Sequence, residues 1–231
     1  MNHTNPRYNI YTLIHKGLRA SMCQNLVDLG RLDDSDTDAV IAQLEVTENL
    51  LHFCQGHLQH ENEFIHAVIC ELSASPLKTA DDHLEHEREI HSLLEQIAQT
   101  KALVAQERAA ALQHLYAEFS LFVAENFTHM HIEETHNAEL LWEYFSDHEI
   151  HAIEQRIVDS LTPEENLRAL LMMLPNIRHS ERIQLLSGFR QAVPIDVFLM
   201  TLGLLKPLLN TKDWLKLNRD LHIDTNSYTA A

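Results

Sequence analysis

The chain has 231 residues, 45% of them apolar, with only 5 Gly and 6 Pro, which argues against disorder and against a turn-rich β-sandwich and favours helices with short links. Asp and Glu total 34 against 17 Lys and Arg, a formal charge of −17, so electrostatic recognition of nucleic acid is excluded as a function class. The greasiest run, 197–205, is too short to span a bilayer, and MNHTNPRYNI has no signal-type apolar stretch. The three cysteines, Cys23, Cys54 and Cys70, form no C-x-x-C, which suits a reducing, cytoplasmic setting.

Four long amphipathic helices are predicted first. Helix one runs from about Tyr8 to Leu29, with Tyr8, Tyr11, His15, Leu18 and Met22 spaced by threes and fours. Gly30 stops it, and Asp33-Asp34-Ser35-Asp36 supplies caps and a turn. Helix two spans about Asp36 to Ser73, with Val46, Leu50, Phe53, His57, Glu61, Phe64, Val68 and Leu72 on one stripe, until Ser73-Ala74-Ser75-Pro76 breaks it. Helix three covers Leu77 to Gln99 and ends its stripe in Ile90, Leu93, Leu94 and Ile97. Helix four runs from about Val104 to Ser146 through Leu115, Phe119, Phe122, Asn126, His129, Glu133 and Leu140. Short links imply antiparallel neighbours, hence an all-α, up-down-up-down four-helix bundle over residues 1–151.

A choppier helical region follows over 152–231. Thr162-Pro163-Glu164-Glu165 reads as a helix start with Thr at the N-cap and Pro at N1. Pro175 ends that helix, Ser180 to Gln191 makes another, a third starts at Pro194, and the last begins at Thr211-Lys212-Asp213-Trp214. Residues 226–231 should fray. Charge divides at the same boundary: residues 1–151 carry 25 acids and 8 bases, residues 152–231 carry 9 of each. Of 17 histidines, 15 lie before residue 152, so the chemistry belongs to the first region.

At about 100° per residue, His57 and Glu61 fall together inside one apolar stripe, as do His129 and Glu133 inside another. His15 interrupts the stripe of helix one, and His83 and His86 both interrupt that of helix three. A carboxylate buried among Phe and Leu is costly unless paired or bound to a cation. Two such acids and four or five imidazoles, with no nearby Lys, point to metal. H-x-x-x-E presents a nitrogen and an oxygen to one ion, and each carboxylate can bridge two. Imidazole with carboxylate suits iron, manganese or zinc. A lone inward histidine is ordinarily a hydrogen-bonded core residue; repetition on four helices is what points to ligation. The expected ligands are His15, His57, Glu61, His86, His129 and Glu133, with His83 additional or alternative on helix three. His136 also points inward by this arithmetic. Inward Tyr8 or Tyr11 would be core aromatics or line the pocket. His60 lies at a stripe's edge, and His52, His66, His91, His114, His131, His148 and His151 read as solvated or boundary residues. Cys54 reads as a structural thiol.

His15, H-x-x-x-E at His57/Glu61, His86, and H-x-x-x-E at His129/Glu133, at intervals of 42, 29 and 43 residues, resemble the hemerythrin-like (HHE) cation-binding family. Ile14-His15-Lys16-Gly17-Leu18-Arg19, Glu85-His86 and His129-Met130-His131-Ile132-Glu133-Glu134 carry the likeness over residues 8–150. The resemblance implies two oxo- or hydroxo-bridged irons with Glu61 and Glu133 bridging. It implies binding of O2, NO or peroxide for sensing, storage or iron homeostasis. A di-iron enzyme, peroxidase or NO reductase, is the alternative. Iron–sulfur repair is less favoured, because the adjacent-cysteine domain of those relatives does not fit before Tyr8. The oxygen carriers' H-x-x-x-H is here His83-x-x-His86. Glu181-Arg182, Leu186-Ser187-Gly188-Phe189-Arg190 and Asp213-Trp214 resemble a helical extension of some bacterial members. A protein partner or homo-oligomer contact through residues 152–231, gated by the metal site, is a third reading.

Overall fold

The computed structural model describes residues 7–72 and 79–223, and among these every regular element is helical. The expected break at Ser73-Ala74-Ser75-Pro76, the start of helix three at Leu77 and the frayed end at 226–231 lie outside the described residues. No described helix is long and apolar enough to cross a membrane. The chain divides into two compact units, 1–160 and 161–231.

In the first unit α1 (Thr12–Gly30) packs on α2 (Thr37–His60) and α5 (Ala105–Ile132), and α4 (Ala80–Ala102) packs on the same two. Asp36 caps α2 by accepting from the Ala39 amide at 3.0 Å, a contribution of about 1 kcal/mol. The stripe that α2 buries is Val40, Leu44, Thr47, Leu51, Cys54 and Leu58, an unbroken three-four spacing that continues into Glu61. Of the expected stripe Leu50, Glu61 and Phe64 are buried, and Val46 and Leu72 at its ends are exposed. Gly30 ends α1 without a left-handed φ. Its need is space, because a Cβ would stand 2.9 Å from the Tyr116 ring.

Helices two and four are each interrupted by one π-helical turn. Glu61–His66 separates α2 from α3 (Ala67–Leu72), and Glu133–Asn137 separates α5 from α6 (Ala138–Tyr144). Each π turn opens on an acidic residue that the sequence placed in the core. Asn9 donates to the Glu134 carbonyl at 2.8 Å, supplying a partner to backbone that the altered helix pitch would leave short of one. Ile65 and Ile69 pack with Leu141 and with Ile150 and Ile153 of α7 (Asp147–Ser160). This apolar group closes one side of the π turns. The composition boundary at 151 therefore cuts through α7, which belongs to the first unit.

The second unit holds α8 (Pro163–Met173), α9 (His179–Ala192), α10 (Ile195–Leu205) and α11 (Thr211–Asp220). Thr162 and Glu165 form a reciprocal capping box at α8. Pro175 lies in a single 3-10 turn, Pro194 precedes α10, and Asn210 caps α11 by accepting from the Asp213 amide. Arg182, itself buried, donates to the Leu174 carbonyl at 2.6 Å and to the Pro175 carbonyl at 3.2 Å. It thereby ties α9 to the end of α8.

Candidate metal centre

The first unit brings His15, His57, Glu61, His83, His129 and Glu133 together in its interior. Glu61 is 2% exposed and Glu133 fully buried, yet none of their four carboxylate oxygens has a hydrogen-bond partner of good geometry. Each carboxylate is divided between two sets of imidazoles. Glu61 Oε1 is 3.2 Å from His57 Nε2 and 3.5 Å from His15 Nε2, while its Oε2 is 3.7 Å from His83 Nε2. Glu133 Oε2 is 3.5 Å from His15 Nε2. Its Oε1 is 3.3 Å from His129 Nε2 and 3.4 Å from both His66 Nε2 and His83 Nε2. One end of the cluster is therefore His15 with His57, the other His66, His83 and His129, and both acids span the two.

These separations exceed the ~2.7–2.9 Å of a charge-assisted hydrogen bond. The shorter four, 3.2–3.4 Å, match ligands of a shared ion: two atoms each about 2.1 Å from one metal, at angles of roughly 90–110°, stand about 3.0–3.4 Å apart. Two overlapping groups of potential ligands, Glu61/His83/His129/Glu133 and His15/His57/Glu61, have donor atoms mutually within 4.8 Å and share Glu61. The donor chemistry of each group is one that could hold a metal ion.

Outer contacts orient the rings. His15 Nδ1 lies 3.2 Å from Glu134 Oε1, and Arg19, one turn along α1, holds Glu134 through both guanidinium nitrogens. His83 Nδ1 lies 2.7 Å from Asn62 Oδ1, and His129 Nδ1 faces Asp82 at 3.5 Å. Each outer oxygen accepts the Nδ1 proton, which leaves the Nε2 lone pair aimed inward. The Nε2 atoms of His83 and His129 are then 2.9 Å apart. Two lone pairs at that distance repel unless a proton or metal ion lies between them.

Burial and the surrounding charges shift the titration of several members of the cluster. Burial would push His15 down, but its hydrogen bond with Glu134 and the nearby Glu61 and Glu133 carboxylates prevail and raise it to about 9. Burial dominates at His57, lowering it to about 4 despite Glu61. Burial also opposes ionisation of Glu133, yet His129, His66 and His83 hold its carboxyl well below the usual range. Tyr11 is buried beside them with its hydroxyl unpaired. Burial, then the charges of Glu133 and Glu61, keep it neutral far above its ordinary value.

Two expectations need correction. His66, read as a solvated or boundary residue, is buried and stacks on His83 at 4.6 Å. In an α-helix it would point about 140° away from Glu61; a π turn makes residues i and i+5 neighbours. In the second π turn Asn137 is buried and His136 half-exposed; Asn137 stands four residues from Glu133, the ordinary α-helical spacing. No sequence signal marks an acid as the start of a π turn, although the pair Glu61/His66, at i and i+5, would be its trace. His86, the preferred ligand on helix three, is not in the cluster: His83 meets both carboxylates, and His86 stands edge-on to His129 at 4.8 Å. One α-helical turn separates them by three residues, and only the roll of α4 against α2 and α5 selects between them. Cys54 is a buried thiol, pushed by burial to about 12. Comparison with protein-family models, curated proteins and solved structures finds no match to this chain.

Proposed function

We propose that α1, α2, α4 and α5 form an up-down-up-down bundle of the hemerythrin-like kind. Its cluster would hold two iron ions that bind O2, NO or another small oxidant, serving sensing, storage or iron homeostasis. One observation carries this reading: two buried carboxylates, all four oxygens unpartnered, each divided between the same two sets of imidazoles. Manganese and zinc share the donor chemistry, and metal analysis distinguishes them.

In this reading His15 and His57 hold one ion, His66, His83 and His129 the other, and Glu61 and Glu133 both. A bound iron pair supplies reversible two-electron redox chemistry and open positions for a diatomic ligand. Glu134, Asn62 and Asp82 fix the imidazole tautomers. Tyr11, kept neutral, holds its hydroxyl proton near the two glutamates. Ile65, Ile69, Leu141, Ile150 and Ile153 exclude water from the π-turn side.

Elemental analysis combined with ultraviolet–visible spectra of anaerobic, aerobic and NO-treated protein tests the reading. Two irons per chain and near-ultraviolet and visible bands that change with O2 or NO are expected, with both lost in E61Q/E133Q. Protein grown with iron that folds normally, holds none and shows no such bands overturns it.

A further inference from the structure

A groove of about 400 Å³ opens between α4 and α5, lined by Asp82, Glu85, His86, Glu125, Thr128 and His129. At its inner part, a ring nitrogen of His86 and carboxylate oxygens of Glu89 and Glu125 lie within 4.8 Å of one another. His86 is only 4% exposed, and its Nδ1 is buried with no hydrogen-bond partner. Glu89 Oε2 is likewise buried and unpartnered. Partial burial and the adjacent Glu125, with Glu85 and Glu118 behind it, raise the Glu89 carboxyl to about 8. Glu85 is paired with Arg88, while Glu89 and Glu125 crowd their carboxylates together. An imidazole nitrogen grouped with two carboxylates, on a buried ring whose Nδ1 has no partner, is a three-donor N/O set suited to a divalent transition metal, with remaining positions left to water from the groove.

We propose that His86, Glu89 and Glu125 form a third cation site, for a hydrated divalent transition-metal ion on its way to the buried cluster. The site itself stands on these three residues; its delivery role rests on the buried pair proposed above. His129 is the link, with Nδ1 towards Asp82 on the groove wall and Nε2 towards Glu133 in the interior. An ion at the outer site has one imidazole to pass before it meets the bridging acids. His86, absent from the buried cluster, thereby acquires a ligand role of a different kind.

Equilibrium dialysis of metal-free full-length protein against Mn2+, with metal counted per chain, tests the site. E89Q/E125Q removes charge without removing volume and relieves a repulsive pair, so it is expected to fold. The wild type is expected to bind three ions, E89Q/E125Q two and E61Q/E133Q one. Stopped-flow filling of the buried pair should be at least tenfold slower in E89Q/E125Q. Equal ion counts in wild type and E89Q/E125Q overturn the site, leaving a shared proton between Glu89 and Glu125 as the whole of its chemistry. A lost ion with unchanged filling rate overturns the delivery role alone. A wild type that binds one ion, kept in E61Q/E133Q and lost in E89Q/E125Q, upholds the outer site and refutes the buried pair.

Discussion

The two units treat a buried charge, which is costly unless paired, in opposite ways. In the second unit Arg182 is buried, but its guanidinium is matched to the Leu174 and Pro175 carbonyls, and Thr201 donates to the Val197 carbonyl. Those interactions are internal and serve stability. In the first unit Glu61 and Glu133 are equally buried and their oxygens have no partner of good geometry. Two acids left unsatisfied within a ring of five imidazoles are what the proposed metal pair would satisfy. On that reading the contrast separates a buried charge that finishes a fold from buried charges that an ion would complete.

The strongest way to break this comparison is to add metal and locate the response. At a metal concentration about a thousandfold above Kd, linkage stabilises the bound state by about 4 kcal/mol. Hydrogen exchange followed by mass spectrometry should then slow by roughly a thousandfold in the most protected amides of α1, α2, α4 and α5. Residues 161–223 should be unchanged; equal protection there would dissolve the distinction. The converse probe is Arg182→Met, which orphans two carbonyls. It should lower the denaturation midpoint of the second unit by an amount equivalent to about 2 kcal/mol, with metal content unaltered.

Two further substitutions sharpen the assignment within the first unit. His66→Leu should weaken metal binding by about tenfold or more, since removing one donor costs on the order of 1.4 kcal/mol. His86→Leu should leave the affinity of the buried pair unchanged, and isothermal titration distinguishes the two. If His86→Leu is the damaging one, the roll of α4 differs from that described here.

The smallest expected effect is on pH dependence. His15 is raised from 6.5 to about 9 without metal. The stability its charge contributes is therefore fully present below 6.5 and lost as pH rises through 9. Metal must displace that proton, so affinity should increase by up to about tenfold per pH unit between 7 and 9. A pH-stat should register the released proton. In the second unit Asp220, lowered to about 2 by Arg219 and His179, is already ionised across this range. Its contribution is lost only as pH falls towards 2, so the second unit should not respond between 7 and 9.

Much of the first unit was legible from periodicity. His15, His57, Glu61, His129 and Glu133 interrupt apolar stripes at ordinary α-helical spacing, and all five meet in the interior: His15 lies on an uninterrupted helix and the other four before or at the start of a π turn. Beyond those turns the same arithmetic fails. His66, read as solvated or boundary, is buried, and His136, read as inward, is half-exposed. The choice between His83 and His86 failed for another reason. Both lie on the inner side of α4 at 1% and 4% exposure, so burial alone cannot rank them.

Residue types and local spacing by themselves determined that this chain is helical, that acids and imidazoles share its apolar faces, and that Thr162, Pro163 and Glu165 start a helix. These are short-range consequences of backbone geometry and side-chain chemistry. Only the tertiary structure decided which imidazoles surround the two carboxylates, and that Glu61 and Glu133 each face both sets. Helix roll and π-turn placement depend on packing against α1, α5 and α7, distant in sequence from the residues they orient, and a rotation of one residue moves a ligand from the cluster to the groove.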